Sequence, residues 1–347
     1  MNIPGDKNDG VWRAEKFVDY AEFVPPVHQN FLVEYAKRRQ LDEGQCVFLA
    51  FLMGNFYSEL TAIFAFEKFG RKVPTNAEVD KFLLEWNDLI VYGTARKWIR
   101  YKGCSNLVLN WFVNTVSGDP LGWFDRTIRD KNPREAYDAL QTESQRCPWY
   151  GRFASDLFNE IVMVFAKKRL ITTDMRSDES INFYDGANLT SGLFNILYMD
   201  DRANEFDANK KITDEENALL SEKIIWLKRV YELKYPNKEV DVPLFITKIC
   251  SFRNCFKGKR GGGYHHYRQL KYLREFERVA PEEALLWKEM YEIRKFVYPS
   301  VLLGEEHGIV GIPAGLTKWW LKNGWIGNEP EALASIKPNS TLNEFFG

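Results

Sequence analysis

The 347-residue chain is poor in cysteine and histidine, and it lacks the motifs of several large enzyme classes. Its five cysteines are odd in number and widely scattered, which fits a reducing cytoplasm better than a disulfide framework. It contains no G-x-x-x-x-G-K-[ST] and no G-x-G-x-x-G after a strand, so neither common nucleotide-phosphate motif is present. It also contains no H-E-x-x-H and no H-x-E with a C-x-x-C, which excludes zinc-protease and zinc-deaminase chemistry.

Long hydrophobic runs are also missing. The longest apolar run covers residues 46–53, which is far too short to cross a bilayer, and the polar residues Asn55, Ser58 and Glu59 follow it. The first ten residues contain no apolar run and no cleavage signal, so no secretion signal is indicated. We therefore expect a cytoplasmic protein with no membrane partner.

The chain has no strong net charge. Its formal charge is −1 and its pI is near 6.5, which argues against a nucleic-acid coat protein, since such proteins are basic throughout. The hydrophobic content of 45% indicates a globular chain, and the aromatic content of 15% indicates a core packed with rings. A chain of this length can bury a large core.

Strand-type alternation is nearly absent, whereas helix signals recur. Capping boxes stand before apolar periodic runs at Asp42 with Gln45, Thr75 with Glu78 and Thr213 with Glu216. The sequence therefore predicts an all-α fold with a single large helical domain.

The sequence also predicts the domain organisation of the chain. Residues 1–24 are expected to be a polar lead-in, residues 25–327 the helical catalytic domain, and residues 328–347 a C-terminal tail. We expect residues 200–211 to be an exposed charged loop and the best candidate for an internal boundary.

We expect the stretch from Asp42 to about Phe69 to be one long buried helix, because it is apolar on nearly every face. Glu59 falls on this helix, either as a buried acid or in a helix-face salt bridge.

One segment carries most of the positive charge. Residues 248–278, here called the basic segment, contain nine Lys or Arg and two acids, so they sum to +7 while the rest of the chain sums to −8. The segment also contains two of the four histidines, His265 and His266, and a triple glycine. Its glycine-rich stretch is defined here as residues 257–263. We predict a helix after it, from about His265 to Arg278.

The glycine-rich stretch has the residue types of an anion site. Glycines let the backbone approach a ligand closely, and consecutive N–H groups form a nest for phosphate oxygens. Lysine and arginine supply charge, and tyrosines supply flat faces for bases. The alternative is a solvated basic loop. The predicted phosphate and DNA contacts in the basic segment are Arg253, Lys257, Lys259, Arg260, Gly261, Gly262, Gly263, Tyr264 and Gln269.

A site that binds phosphate and modifies a base also needs a proton acceptor. The candidates are His265, His266, Asp174 and Asp185, although an aspartate of this kind is more often a helix cap or a turn residue. Arg152, near a predicted helix start, is a further candidate phosphate ligand or a surface salt-bridge partner.

The basic segment resembles the signature of the bacteriophage amino acid:DNA transferases, the α-glutamyl/putrescinyl thymine pyrophosphorylase group. The resemblance covers about 20 residues and is carried by Cys250, Phe252-Arg253, Lys257-Gly258-Lys259-Arg260, Gly263-Tyr264 and Arg268-Gln269. In the family pattern an acid precedes the arginine, whereas here Tyr267 stands at that position, so no proton-accepting role is carried over to it.

The resemblance implies an activity and a fold. The family displaces pyrophosphate from 5-pyrophosphomethyl-uracil in DNA with the amine of an amino acid or polyamine, and its all-helical fold is thought to be related to DNA glycosylases. By this resemblance the partners are DNA carrying a modified pyrimidine and a small amine, and a phage-encoded protein would work in the bacterial host cytoplasm. We expect no cofactor, and no metal site, since the cysteines are scattered and adjacent histidines do not easily chelate one metal.

The resemblance also implies roles for individual residues. Lys257, Lys259, Arg260 and the glycine amides would hold the departing pyrophosphate together with Arg268. Tyr264 would orient the base, and His265 or His266 would assist proton transfer. The competing interpretations are a non-catalytic DNA-binding helical protein, a DNA-glycosylase-like enzyme, and a structural helical protein with an incidental basic loop.

Overall fold

The computed structural model describes residues 10–23, 27–92, 104–165, 187–209, 211–237, 248–249, 252–253 and 264–297. Within these ranges the regular structure is entirely helical, with fourteen α-helices, two short 3-10 helices and no β-strand. The predicted all-α class is therefore confirmed. No helix in the same ranges is long and apolar enough to cross a bilayer.

The α-helices are numbered in chain order. The first seven are α1 (Gly10–Phe23), α2 (Val27–Arg38), α3 (Glu43–Phe56), α4 (Glu59–Lys68), α5 (Asn76–Glu85), α6 (Ser105–Val116) and α7 (Pro120–Ile128). The second seven are α8 (Pro133–Gln145), α9 (Arg152–Phe165), α10 (Ala187–Ile196), α11 (Asp200–Asn209), α12 (Asp214–Lys234), α13 (Tyr264–Val279) and α14 (Ala284–Val297). The 3-10 helices are Asn87–Leu89 and Pro281–Glu283.

The described chain divides into two compact units. The first unit contains α1, α10, α11, α12, residues 248–249 and 252–253, and α13 as far as Tyr267. The second unit contains α2 to α9, α13 from Arg268 onward, and α14. Residues 200–209, predicted as part of an exposed loop at a boundary, instead form α11 inside the first unit. This helix is stabilised by the burial of Ala203 and Phe206 in the core of the first unit.

α1 differs from the polar lead-in that the sequence predicted for residues 1–24. Ala14, Phe17 and Val18 are fully buried, and Trp12 and Tyr20 are nearly so. These side chains belong to the core that α1 shares with α10, α11 and α12. The apolar residues of α1 recur at helical spacing among charged residues. The prediction rested on the polar composition of residues 1–24 and did not take this spacing into account.

A buried arginine joins α1 to the start of α11. Arg13, 3% exposed, donates from Nη1 and Nη2 to the two carboxylate oxygens of Asp200, each at 2.7 Å. Its Nη1 also donates to the Asn195 carbonyl oxygen at 2.7 Å. A buried guanidinium is tolerated when it is paired in this bidentate way, so Arg13 holds three elements of the first unit together.

The long helix predicted from Asp42 to about Phe69 is two helices, α3 and α4. Tyr57 adopts a left-handed conformation with φ 51°, which ends α3, and Ser58 caps α4 by accepting from the Thr61 N–H at 3.4 Å. The continuous apolar pattern did not reveal this break, because both helices are buried on nearly every face. The three predicted capping boxes are confirmed.

The core of the second unit is built on aromatic rings. Phe51 of α3 stacks on Phe112 with ring centroids 3.9 Å apart and on Tyr150 at 4.7 Å. α3 and α9 approach closely at Gly54, where a Cβ would lie 2.9 Å from the Ala154 carbonyl oxygen of α9 and 1.8 Å from the hydroxyl oxygen of Tyr150, just before α9. In the same unit, Phe276 of α13 lies 5.5 Å from Trp287 of α14 between ring centroids. α13 begins and ends within one residue of its prediction.

Candidate functional site

Eight of the predicted site residues lie outside the described residues: Asp174, Asp185, Lys257, Lys259, Arg260, Gly261, Gly262 and Gly263. Their roles stay predictions. The described residues show what lies on either side of the glycine-rich stretch along the chain, and how the side chains of Arg253 and Gln269 are used.

The glycine-rich stretch leads directly into the first turn of α13. Tyr264, His265, His266 and Arg268 all fall within the first five positions of this helix, and its first turn contains no acidic residue. The first N–H groups of an α-helix have no partner inside the helix, and the helix dipole adds partial positive charge there. A helix start that follows glycines and cations is therefore a place where the backbone can stabilise an anion.

Residues 248–249, on the other side of the stretch, are attached to the first unit. The Lys248 ammonium donates to the carbonyl oxygen of Ala21 in α1. Ile249 is fully buried, and it packs against α10 at Gly192. A Cβ at Gly192 would lie 2.8 Å from the Ile249 carbonyl oxygen, so only glycine allows this close approach.

Phe252 strengthens the same attachment. It is 1% exposed, and its ring meets two rings of α1 edge-on, Phe17 at 5.5 Å and Tyr20 at 5.4 Å between centroids. Such edge-to-face pairs add about 0.5–1.5 kcal/mol beyond the buried area. The residues just before the glycine-rich stretch are therefore held by apolar and polar contacts together.

Arg253 is a buried cation rather than an exposed one. It is 8% exposed, and its Nη2 pairs with Asp207 of α11. Burial lowers the pKa of Arg253, because a low-dielectric environment disfavours the charged form. Its Nε is buried with no hydrogen-bond acceptor among the described residues. The sequence predicted Arg253 as a phosphate contact, whereas its geometry makes it an internal anchor paired with Asp207.

Gln269 also differs from its predicted role as a phosphate or DNA contact. It is 3% exposed, and its side-chain N–H donates to the carboxylate of Glu59. Its side-chain oxygen accepts from Arg294 Nη1 at 3.3 Å. Both ends of the amide are therefore used inside the second unit, and Gln269 fixes α13 against α4 and α14.

Glu59 and Arg294 are the two side-chain partners of Gln269, and only Glu59 was singled out from the sequence. Glu59 is 5% exposed and Arg294 is 1% exposed, so both charged groups are buried and joined through Gln269. The interpretation of Glu59 as a buried acid, given as one of two alternatives, is the correct one. Its position in an apolar helix was the available signal, whereas nothing in the sequence around Arg294 distinguished it from an exposed helix residue.

Arg152 is the first residue of α9, in the second unit. The helix start that the sequence indicated there is confirmed, and a contact of Arg152 with phosphate stays a prediction.

The chain was compared with protein families, with curated proteins and with solved structures, and none of them matches it. The similarity of the basic segment to the phage transferases and the relation of the fold to DNA glycosylases therefore both stay predictions.

Proposed function

We propose that the protein is a DNA base-modifying transferase that displaces pyrophosphate from 5-pyrophosphomethyl-uracil with the amine of an amino acid or polyamine. The observation that carries the proposal is the position of the helix start. A stretch with three cations and three consecutive glycines ends just before Tyr264, where α13 begins. The first N–H groups of a helix have no partner inside the helix and can bind an anion.

The attachment of the preceding residues supports the proposal. Phe252 and Arg253 lie in the resembling motif, and both are buried against α1 and α11 rather than exposed. A segment that served only to solubilise the surface would not need a buried arginine paired with an acid on another helix. The contacts are those expected of a segment that must present its cations in a fixed place.

The proposed reaction is a substitution at the exocyclic carbon of the base. The amine nitrogen attacks the methylene carbon on C5 of uracil, a C–N bond forms, and the C–O bond to pyrophosphate breaks. Pyrophosphate leaves with the electron pair of that bond, and one proton of the amine passes to a base. Neutralising the leaving group is the main task of the protein, because the charge on pyrophosphate grows as it departs.

The residues are proposed to divide this work. Lys257, Lys259, Arg260, the amides of Gly261, Gly262 and Gly263, and Arg268 hold the pyrophosphate; Tyr264 orients the base. His265 or His266 takes the proton, with Asp174 and Asp185 as the other candidates. Gln269 and Arg253 are left out of the direct contacts because both are buried in internal pairs.

A transfer assay tests the proposal. DNA containing 5-pyrophosphomethyl-uracil is incubated with labelled amino acids and polyamines, and label is followed into nucleosides. The wild-type protein should transfer label, and Lys259→Ala with Arg260→Ala should reduce the rate by about a hundredfold or more, since charge stabilisation of this kind is worth several kcal/mol.

The matched control is Lys81→Ala with Lys295→Ala, which removes two exposed lysines from other helices. It should leave the rate unchanged, and circular dichroism should show both double variants folded. Full transfer by the Lys259 and Arg260 variant would overturn the proposal. Release of a free base would indicate a glycosylase, and DNA binding without any reaction would indicate a binding protein.

A further inference from the structure

A cleft between α7 and α8 in the second unit is not used by the proposed function. Its volume is about 580 Å³, which falls within the range of roughly 300–1,000 Å³ of small-molecule sites. Trp123 and Arg126 line it from α7 and Lys131 from the turn that follows, while Asp138 and Glu143 line it from α8 and Arg146 from the residue just after α8.

The α8 wall of the cleft is polar. Asp138 and Thr142 are four residues apart, so they lie on one face of α8, while Glu143 is the next residue along the chain and Arg146 follows the helix end. The cleft therefore has polar groups from α8 and its end on one side and the end of α7 on the other.

Of the three cations that line the cleft, Arg126 and Lys131 make only weak contacts within the protein. Arg146 is paired with Glu143 at 2.7 Å. Arg126 Nη1 lies 3.9 Å from Asp119 Oδ2, which is beyond hydrogen-bond distance, and the Lys131 ammonium donates to the Arg129 carbonyl oxygen at 3.4 Å. Arg126 and Lys131 can thus bind an anion without breaking a strong internal contact.

Trp123 forms part of the wall of the cleft and is 5% exposed. Its indole N–H is buried, so it is closed off from the cleft and cannot donate to a ligand there. The donors that a ligand in the cleft can reach therefore come from exposed side chains such as Arg126 and Lys131.

Asp138 limits what that ligand can be. It is an exposed carboxylate on the α8 wall and has no ion pair among the residues that the structure describes. A negative group there disfavours a highly charged anion, yet it can accept a hydrogen bond from a hydroxyl or amino group. The complementary ligand has one anionic group at Arg126 and Lys131 and a neutral donor at Asp138.

We propose that this cleft binds a phosphate monoester that carries hydroxyl or amino donors, the class that includes mononucleotides and sugar phosphates. The phosphate accepts from Arg126 and Lys131, and the body of the ligand donates to Asp138. The inference does not depend on the proposed transferase activity, because none of these residues belongs to the basic segment.

Isothermal titration calorimetry on the full chain tests the cleft with AMP, ribose 5-phosphate, adenosine and inorganic phosphate as probes. AMP or ribose 5-phosphate should bind more tightly than inorganic phosphate, and adenosine should bind weakly. Arg126→Gln with Lys131→Gln should raise the Kd of the monoester by about tenfold or more, because two charge-assisted contacts are lost. Asp138→Asn should reduce the preference for the ester over inorganic phosphate.

The control is Lys81→Gln on α5, an exposed lysine of the same unit, which should leave the Kd unchanged within about twofold. The cleft residues to be changed are exposed, so the variants should fold as the wild type does. The proposal is overturned if neither monoester binds at millimolar concentration, if the double variant binds as well as the wild type, or if inorganic phosphate binds as tightly as the esters. Comparing AMP with ribose 5-phosphate shows whether the base contributes.

Discussion

At the residue scale, the part of the candidate site that the sequence did not predict consists of buried charged side chains. Cysteine and histidine are scarce in this chain, and arginine and glutamate carry the internal polar contacts instead. The pairs of Arg13 with Asp200 and of Arg253 with Asp207 both join residues that are far apart in the sequence. Composition identifies such residues only as charged, because the partner that permits burial becomes known only when the fold brings it close.

The Arg253 and Asp207 pair gives a residue-scale prediction. Asp207→Ala should lower the free energy of unfolding by about 2 kcal/mol, because it leaves a buried guanidinium without its carboxylate. Arg253→Met added to Asp207→Ala should restore at least half of this loss, since the buried charge is then gone. Urea unfolding followed by circular dichroism measures both changes.

Glu205→Ala is the control for that experiment. Its carboxylate is largely exposed and lies 3.5 Å from Arg202, so its loss should change stability by less than about 0.5 kcal/mol. An Asp207→Ala variant as stable as the wild type would mean that the pair does not hold residues 252–253 in place.

At the scale of elements, the sequence predicted which segments are helical better than it predicted where helices stop. Capping boxes located the starts of α3, α5 and α12, because a cap is a local arrangement of a few neighbouring residues. The break between α3 and α4 at Tyr57 was missed, because it interrupts a pattern that is apolar on both sides. α1 and α11 were missed because their buried faces are formed by a few apolar residues among many charges.

The contact of Ile249 with α10 gives an element-scale prediction. Gly192→Ala should lower the free energy of unfolding by about 1–3 kcal/mol, because the added Cβ would collide with the Ile249 backbone and push residues 248–249 away. Thermal unfolding measures the effect.

Gly151→Ala is the matched control, since a Cβ there meets no atom within 4 Å and the residue lies just before a helix. It should change stability by less than about 0.5 kcal/mol. Equal effects of the two alanines would show that close packing at Gly192 does not secure the attachment.

At the scale of the whole molecule, the uneven distribution of charge is the central feature. The basic segment carries +7 and the rest of the chain carries −8. Such a separation favours one anionic partner at one place and reduces adhesion to ordinary duplex DNA elsewhere. The all-α class was predictable from periodicity, whereas the division into two units was not, since the first unit combines segments distant in the chain.

The measurement that tests the central claim most directly is hydrogen–deuterium exchange with and without saturating inorganic pyrophosphate. If the glycine-rich stretch and the first turn of α13 hold a diphosphate, the amides of residues 261–267 should exchange more slowly, by about tenfold, and Lys259→Ala with Arg260→Ala should abolish the effect. Unchanged exchange at residues 261–267 in the wild-type protein at saturating pyrophosphate would contradict the account.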